Sequence, residues 1–235
     1  MKCIVPLAGP DFFRPEYGIK PLVPMDGVPL IERVLSSRPW MRTGEVTGAD
    51  CVFVLRDGEG LADFTRFLDG AYPGAKRVVL SHLTGGALLS ALAGASELPA
   101  TDEPLIVDLV DILFASDLSP RGAFAAEPAL AGLIPYFEAS DDCYSYLELD
   151  GTRVQRAAEK VVISTHASAG VYLYRTVADF LAAAAGSLAA GSQWTHRGLH
   201  FMCPSYNALI AKGRLVRGVP VRDVIPVSAK FHTSP

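Results

Sequence analysis

Short apolar runs rich in β-branched residues alternate with amphipathic stretches in the first half of the chain. Apolar runs of this length predict strands buried on both faces, and they lie at residues 3–7, 50–55, 77–80 and 105–110. Between them, apolar residues recur at helical spacing over residues 30–37, 61–68 and 87–98. Because strand, helix and strand repeated in this way need crossover connections, the pattern predicts an α/β fold with a parallel sheet covered by helices.

The second half of the chain has a different pattern. Strand-like segments follow one another at residues 133–137, 144–149, 153–157 and 169–174. Asp150-Gly151 between two of them is typical of a hairpin turn, and helices are expected over residues 176–185 and 206–212. An antiparallel part is therefore predicted to extend the parallel one into a mixed sheet. Because no linker rich in Pro, Gly or Ser divides the halves, a single domain over residues 1–235 is predicted.

Composition and charge exclude several classes of protein. Half of the 235 residues are hydrophobic, and a chain of this length can build a core without disulfides or a structural metal. Its 21 Lys and Arg against 25 Asp and Glu give no basic excess for binding nucleic acid. Its apolar stretches are shorter than the ~20 residues of a membrane span, and the start of the chain is typical of a strand rather than a signal peptide. We therefore expect a cytoplasmic protein that binds neither nucleic acid nor membranes.

The common metal-binding and catalytic motifs are missing from the sequence. The four cysteines are far apart and form no zinc or redox pair. His196 and His200 are four residues apart, but Gly198 between them and the lack of a neighbouring glutamate argue against a metalloprotease helix. The sequence has no Walker A motif, no complete dinucleotide fingerprint and no Gly-x-Ser-x-Gly elbow.

The loop after the first strand is the first candidate for a binding site. Ligands of open α/β sheets bind beyond the carboxyl ends of the strands, and here the first strand leads into Leu7, Ala8 and Gly9. The small side chains of Ala8 and Gly9 let backbone N–H groups approach a ligand closely. Lys20 adds a compact positive charge suited to phosphates. For these residues alone, a tight turn and a solvated lysine are the alternative interpretation.

Several segments of the chain resemble, in order and spacing, the motifs of sugar nucleotidyltransferases. The likeness begins with the first strand and its glycine-bearing loop, which lead to Lys20-Pro21-Leu22 and an apolar helix. It continues over segments that extend through most of the chain, namely Thr84-Gly85-Gly86-Ala87, Pro104-Leu105-Ile106-Val107 through Asp111-Ile112-Leu113, residues 144–151, Ala158-Glu159-Lys160, Ala169-Gly170-Val171-Tyr172 and Pro204-Ser205-Tyr206-Asn207. The chain most resembles the branch of the family associated with capsule and surface-polysaccharide pathways.

This resemblance implies a fold and a reaction. Members of the family carry a Rossmann-like domain with a mixed central sheet flanked by helices, similar to the GT-A fold of glycosyltransferases. In their reaction, a phosphate oxygen of the acceptor attacks the α-phosphate of a nucleoside triphosphate, and pyrophosphate is released. The implied cofactor is Mg²⁺, and the implied partners are a nucleoside triphosphate and a phosphorylated small molecule such as a sugar 1-phosphate.

The resemblance also assigns roles to residues of this chain. Phosphoryl-type transfer needs positioning and neutralisation of charge on non-bridging oxygens. Asp111, at the end of a buried strand, corresponds to the aspartate that holds Mg²⁺, and Lys20 corresponds to the lysine that contacts the transferring phosphate. The nucleotide-binding positions are Leu7, Ala8 and Gly9 beside the base and ribose, with Thr84 and Gly85 at the base edge. The substrate-binding positions are Glu159 for acceptor hydroxyls, Lys160 for the acceptor phosphate and Gly170 at the floor of the acceptor pocket.

The chain departs from the family pattern at the phosphate loop and near the metal. The family's first loop has a second glycine, a Ser or Thr and an arginine, whereas this chain has Pro10 and Asp11. Proline removes an N–H donor, and the aspartate brings negative charge toward the triphosphate. Arg14 is the candidate for the missing arginine. Leu109 stands where the family often has Asn, and Asp223 is a candidate second metal ligand only because it is acidic.

Two other functions are compatible with these residues. The altered first loop is consistent with a catalytically impaired protein that binds a nucleotide or sugar phosphate on the same scaffold. A glycosyltransferase of related fold would use a nucleotide sugar, but its Asp-x-Asp motif is one residue shorter than Asp108-Leu109-Val110-Asp111. Fold alone does not separate these functions.

Overall fold

The computed structural model describes residues 1–98 and 102–227, and a ten-stranded sheet runs through this part of the chain. Its strands, numbered in chain order, are β1 (Lys2–Pro6), β2 (Cys51–Arg56), β3 (Lys76–Leu80), β4 (Leu105–Asp108), β5 (Leu130–Glu138), β6 (Ser145–Asp150), β7 (Arg153–Glu159), β8 (His166–Ser168), β9 (Val171–Tyr174) and β10 (Leu215–Pro220). The single domain predicted over residues 1–235 also includes positions 99–101 and 228–235, which lie outside the described residues.

Helices and short ribbons connect these strands. The α-helices of the described residues are α1 (Leu30–Ser37), α2 (Pro39–Arg42), α3 (Leu61–Ala71), α4 (Ala87–Ala95), α5 (Pro120–Ala126), α6 (Val177–Ala189) and α7 (Met202–Ala211). Single 3₁₀ turns lie at Lys20–Leu22, Gly48–Asp50 and Gly191–Trp194. Two-stranded ribbons pair Phe13–Arg14 with Gly18–Ile19, Pro24–Met25 with Val28–Pro29, Ile112–Ala115 with Arg222–Pro226, and Thr195–His196 with Leu199–His200. We call the last of these the 195–200 hairpin.

The sheet is mixed, as the hydrophobic pattern predicts. Its strand order is β8-β6-β7-β10-β5-β9-β4-β1-β2-β3, and β3, β2, β1 and β4 are parallel neighbours. β9 lies antiparallel between β4 and β5, and β10 runs parallel to β5. An additional pairing of β8 with β5 joins β5, β10, β7, β6 and β8 into a closed ring of neighbours. The predicted α/β class with an antiparallel extension is therefore confirmed.

Apolar residues on the two faces of the sheet form two cores. One core packs α1, α2 and α3 against the sheet, and the other packs α4, α6 and α7 against the opposite face. Successive β1 residues alternate between them, because neighbouring side chains of a strand point to opposite faces: Cys3 and Val5 join the first core and Ile4 joins the second. Within the described part of the chain, no helix is long and apolar enough to cross a membrane.

Several predicted boundaries differ from the structure. The strand predicted over residues 105–110 ends at Asp108, and the last helix starts at Met202 rather than residue 206. The predicted hairpin forms between β6 and β7, but Asp150 still pairs with Arg153, so the turn is one residue later than predicted. The strand β10 was not predicted from the sequence.

Candidate active site

Two loops meet where the strand order of the sheet reverses. The chain continues from β1 to β2 and β3 on one side, whereas β4 lies on the other side of β1. Open α/β sheets bind ligands in the crevice that such a reversal leaves at the carboxyl ends of the strands. The loop after β1 begins with Leu7, and the loop after β4 contains residues 109–111. These are the loops in which the sequence predicts the nucleotide and metal sites.

The loop after β1 starts with small residues packed on the sheet. The Leu7 N–H donates to the Val54 carbonyl (2.7 Å), so this residue continues the register with β2. Ala8 is buried, and a side chain added at Gly9 would point into open space. The predicted nucleotide-binding residues Leu7, Ala8 and Gly9 therefore lie at the crevice, with room for a ligand at Gly9.

Asp11 and Arg14 form an ion pair with each other. Phe13 pairs with Ile19 in a short ribbon, and Arg14 Nη2 lies 2.5 Å from Asp11 Oδ1. The hydrogen bond to Asp11 raises the pKa of the Arg14 guanidinium. The charge of Asp11 is therefore balanced inside the loop, and the role of Arg14 toward phosphate stays a prediction.

Lys20 is held at the crevice by the same loop. Its N–H donates to the Phe12 carbonyl (2.9 Å), and the buried Phe12 ring packs in a T-shaped arrangement with Phe64. Lys20 Nζ lies 3.1 Å from Asp111 Oδ1, although the two residues are 91 positions apart. The structure thus brings together the two residues that the sequence singles out for phosphate and metal.

Asp111 fits a Mg²⁺ site with a single protein carboxylate. Its side chain is 42% exposed, whereas that of Lys20 is 15% exposed. Mg²⁺ commonly takes one or two carboxylates together with substrate phosphates and water. Among residues 1–98 and 102–227, no group of three or more His, Cys, Asp or Glu side chains is placed to hold a metal ion. If Asp111 holds Mg²⁺, phosphate oxygens and water supply most of the other ligands.

Asp223 lies away from this contact. It belongs to the ribbon that pairs Arg222–Pro226 with Ile112–Ala115. The Val227 N–H, just beyond this ribbon, donates to the Asp111 carbonyl (3.0 Å). Asp223 is four residues earlier and lines a separate groove beside α1. The geometry therefore gives no support to Asp223 as a second metal ligand.

The loop before α4 is tied to the 195–200 hairpin. The Thr84 hydroxyl donates to the Gly86 carbonyl (2.9 Å), and the His200 N–H donates to the Gly85 carbonyl (2.8 Å). Gly86 has a φ of +121°, and a Cβ at this position would lie 2.1 Å from the His200 carbonyl oxygen. Glycine is therefore required at Gly86. The predicted base-binding residues Thr84 and Gly85 and the 195–200 hairpin form one connected unit.

The predicted acceptor residues Glu159 and Lys160 lie at the end of β7. The Ser145 hydroxyl donates to the Glu159 carboxylate. Burial raises the pKa of Glu159, although the Ser145 hydrogen bond and the Lys160 charge act in the opposite direction. A cavity of about 400 Å³ opens beside Lys160. Its lining residues are Asp142, Cys143, Lys160, His196, Arg197, Leu199 and Phe201.

The 195–200 hairpin contributes two residues that were not predicted for the site. Arg197 and Gly198 form its two-residue turn with φ of +51° and +76°, the positive values that favour tight hairpins. This turn places Arg197 and His196 on the cavity beside Lys160. An Arg-Gly pair flanked by short strand-like segments is the sequence signal that would have indicated the hairpin. His196 and His200 lie on its paired strands, not on a helix.

Gly170 joins the acceptor side to the loop of Asp111. Its φ is +73°, and its carbonyl accepts a hydrogen bond from the Leu109 N–H (3.0 Å). A Cβ at Gly170 would touch only the Leu109 side chain, at 3.9 Å. The positive φ is thus the reason for glycine here, and the role of Gly170 at the floor of the acceptor pocket stays a prediction.

Several solved structures of similar fold are described as nucleotidyltransferases or pyrophosphorylases. No family model matches the sequence, and no curated protein matches it significantly. A nucleoside-diphosphate-sugar pyrophosphorylase from Vibrio cholerae RC9 is similar with a TM-score of 0.80 and 23% identity, over 97% of this chain and 95% of that one. An inositol-1-phosphate CTP transferase from T. maritima is similar with a TM-score of 0.65 and 17% identity, over 99% of this chain and 91% of that one. A UDP-glucose pyrophosphorylase complexed with UDP-glucose is similar with a TM-score of 0.67 and 16% identity, over 94% of this chain and 91% of that one. The likeness confirms the Rossmann-like nucleotidyltransferase fold.

Proposed function

We propose that this protein transfers a nucleoside monophosphate from a nucleoside triphosphate to a phosphorylated small molecule and releases pyrophosphate. The observation that carries the proposal is the 3.1 Å contact between Lys20 Nζ and Asp111 Oδ1, at the reversal of strand order. A lysine and an aspartate that meet there supply the charges that phosphoryl-type transfer needs. The fold shared with solved pyrophosphorylases supports the same reaction.

The chain's own residues position the reactants. The backbone of Leu7 to Gly9 and the Thr84–Gly85 loop hold the nucleoside, and Lys20 faces the α-phosphate. As the acceptor oxygen bonds to the α-phosphorus, the bond to the pyrophosphate oxygen breaks. The Lys20 ammonium neutralises charge that grows on the non-bridging oxygens during this exchange. Asp111 would hold Mg²⁺, which when bound polarises the phosphates and offsets their charge.

The cavity beside Lys160 is the proposed acceptor site. Lys160 and Arg197 bring two positive charges for the acceptor phosphate. Glu159 does not line the cavity itself but directly precedes Lys160, and in this proposal its carboxylate accepts hydrogen bonds from acceptor hydroxyls. A volume of about 400 Å³ is in the range of sites for small molecules. The motif resemblance favours sugar 1-phosphates or similar molecules of capsule and surface-polysaccharide pathways. We also propose that the enzyme works in the cytoplasm.

A nucleotide-binding or sugar-phosphate-binding protein without turnover is the second candidate, and the first loop favours it. Arg14, the candidate phosphate-binding arginine, is paired with Asp11 at 2.5 Å. Pro10 beside this pair lacks an N–H donor. If the pair persists in the presence of a triphosphate, the chain would bind its ligand without aligning the β- and γ-phosphates for release.

Thermal unfolding with nucleotides tests the triphosphate site. The purified protein is heated with CTP, UTP, dTTP, ATP or GTP, each with and without Mg²⁺. A ligand at about 100 times its Kd stabilises the native state by about 2.7 kcal/mol. We expect one triphosphate to raise the midpoint in a Mg²⁺-dependent way, Asp111→Asn to abolish the Mg²⁺ dependence, and the exposed control Asp117→Asn to retain it. No stabilisation by any triphosphate would overturn nucleotidyl transfer and would favour the sugar-phosphate-binding form of the second candidate.

A further inference from the structure

The loop that carries Asp111 is fastened to its surroundings by its backbone. The Leu109 N–H donates to the Gly170 carbonyl, and the Asp111 carbonyl accepts from the Val227 N–H, both at 3.0 Å. One bond reaches the turn before β9, and the other reaches the end of a ribbon. The loop is therefore held from two elements that are distant in sequence.

A buried ion pair connects the two ends of this loop. Arg38 Nε and Nη2 lie 2.7 and 3.1 Å from the two carboxylate oxygens of Asp108, and both side chains are fully buried. The same Asp108 carboxylate accepts from the Val110 N–H (2.9 Å). Arg38 Nη2 also donates to the Ile112 carbonyl (2.9 Å). One guanidinium thus connects both ends of residues 108–112.

This arrangement costs free energy in three ways. Val110 has a φ of +59°, in the left-handed region that β-branched residues rarely adopt. Arg38 Nη1 is buried with no hydrogen-bond partner among the described residues. Burying an ion pair requires desolvation of both charges, and apolar residues of similar volume are often as stable in such places. Strain of this kind persists where the surroundings enforce it and clusters at functional sites.

We propose that Arg38 is a positioning residue for the reaction. Through Asp108 and the Ile112 carbonyl it holds Val110 in the left-handed conformation, and the next residue, Asp111, is thereby directed at Lys20. Arg38 directly follows α1, the helix after the Lys20 turn, so it couples the segment of the lysine to the loop of the aspartate. The catalytic task of this coupling rests on the proposed function, whereas the fastening of the loop does not.

Replacing the ion pair by apolar residues separates positioning from stability. The double variant Arg38→Met/Asp108→Leu is expected to keep a thermal midpoint near that of the wild type. Amide hydrogen exchange at residues 109–112 should become faster, while exchange in the core strands stays unchanged. The kcat for acceptor-dependent pyrophosphate release should fall about 100-fold, as displacement of a reacting group typically causes, with little change in KM for the triphosphate.

Two further variants keep the test decisive. Val110→Gly relieves the strained φ but also removes a buried apolar side chain, so this variant is judged by kcat and by exchange of the loop rather than by stability. Its kcat should fall, because glycine lets the loop leave its conformation. Arg175→Met is the matched control, since Arg175 also donates to backbone carbonyls, those of Phe124 and Leu130, outside the crevice. It should change neither kcat nor the exchange of residues 109–112. If the double variant does not fold, Arg38→Lys keeps the charge but loses the bidentate geometry, and it is measured in the same way.

The outcomes separate this proposal from the proposed function. Unchanged exchange at residues 109–112 without the ion pair would overturn the positioning role, as would faster exchange with wild-type kcat. Absence of turnover in the wild type with every triphosphate and acceptor would overturn the proposed function. In that case the exchange data alone decide whether Arg38 holds the loop.

Discussion

Gly86→Ala should damage both the nucleotide loop and the 195–200 hairpin. Gly86 has φ +121° and ψ 172°, and a side chain in this region costs about 1–3 kcal/mol. The new Cβ would lie 2.1 Å from the His200 carbonyl oxygen, so the hairpin must move away. The hydrogen bond from the His200 N–H to the Gly85 carbonyl is then lost, at a cost of about 1 kcal/mol. We expect the free energy of unfolding to fall by about 2–4 kcal/mol in total.

Urea unfolding of Gly86→Ala beside Gly85→Ala measures this effect. Gly85 has no positive φ, and an added Cβ there would meet only the flexible end of Leu89 at 3.0 Å. The control should therefore lose less than about 1 kcal/mol at an unchanged m-value. Because the hairpin carries Arg197, Gly86→Ala should also raise KM for the acceptor. Equal, small losses of stability in both variants would refute the coupling of loop and hairpin.

Four further predictions follow from the site and its charges. Lys20→Ala should lower kcat about 100-fold or more in a pyrophosphate-release assay. Turnover near that of the wild type would show that Lys20 has no role in the reaction. Arg197→Ala should raise KM for the acceptor with little change in kcat; an unchanged KM would remove Arg197 from the acceptor site. Burial opposes ionisation of Asp50, but hydrogen bonds, the strongest from Lys2, lower the pKa of Asp50 to about 2. Because solvent screens this partly exposed ion pair, Asp50→Asn should destabilise the fold by only about 1 kcal/mol at pH 7. This difference should vanish as the pH falls from 3.8 through 2. A pH-independent difference in urea unfolding would contradict that assignment. Burial raises the pKa of Glu159. The wild type should therefore lose stability relative to Glu159→Gln as the pH rises from 4.5 through the raised pKa. Stability curves of the two proteins that run parallel over this pH range would contradict the raised pKa.

The parallel half of the sheet is predictable because its strands are buried on both faces. Continuous apolar runs such as that of β2, in which every residue but Arg56 is buried, differ clearly from the amphipathic helices between them. The positions of Lys20 and Asp111 follow from motifs of the sequence, and the fold brings the two side chains into contact. These features depend on local patterns, which are visible in a single sequence.

The remaining features depend on contacts between distant segments. The ion pair of Arg38 and Asp108 joins positions 70 residues apart. In the sequence, Arg38 is only a charged residue after a helix and Asp108 only an acidic residue within an apolar strand, so neither position indicates the other. The left-handed Val110 cannot be anticipated from its β-branched side chain, which favours strands. In β10, Arg217 and Gly218 interrupt the apolar pattern that would indicate a strand. Both residues are explained by distant contacts, since Arg217 pairs with Glu127 and Gly218 packs against Tyr136.

Acceptor-dependent pyrophosphate release is the most direct test of the proposed transfer. The wild-type protein is incubated with Mg²⁺, the triphosphate that stabilises it and a panel of phosphorylated small molecules. Pyrophosphate is quantified, and the nucleotide-linked product is identified by mass spectrometry. We predict one pyrophosphate for each nucleotide transferred, no release without acceptor, and loss of release in Lys20→Ala. A triphosphate that binds in a Mg²⁺-dependent way but yields no pyrophosphate with any acceptor would contradict nucleotidyl transfer.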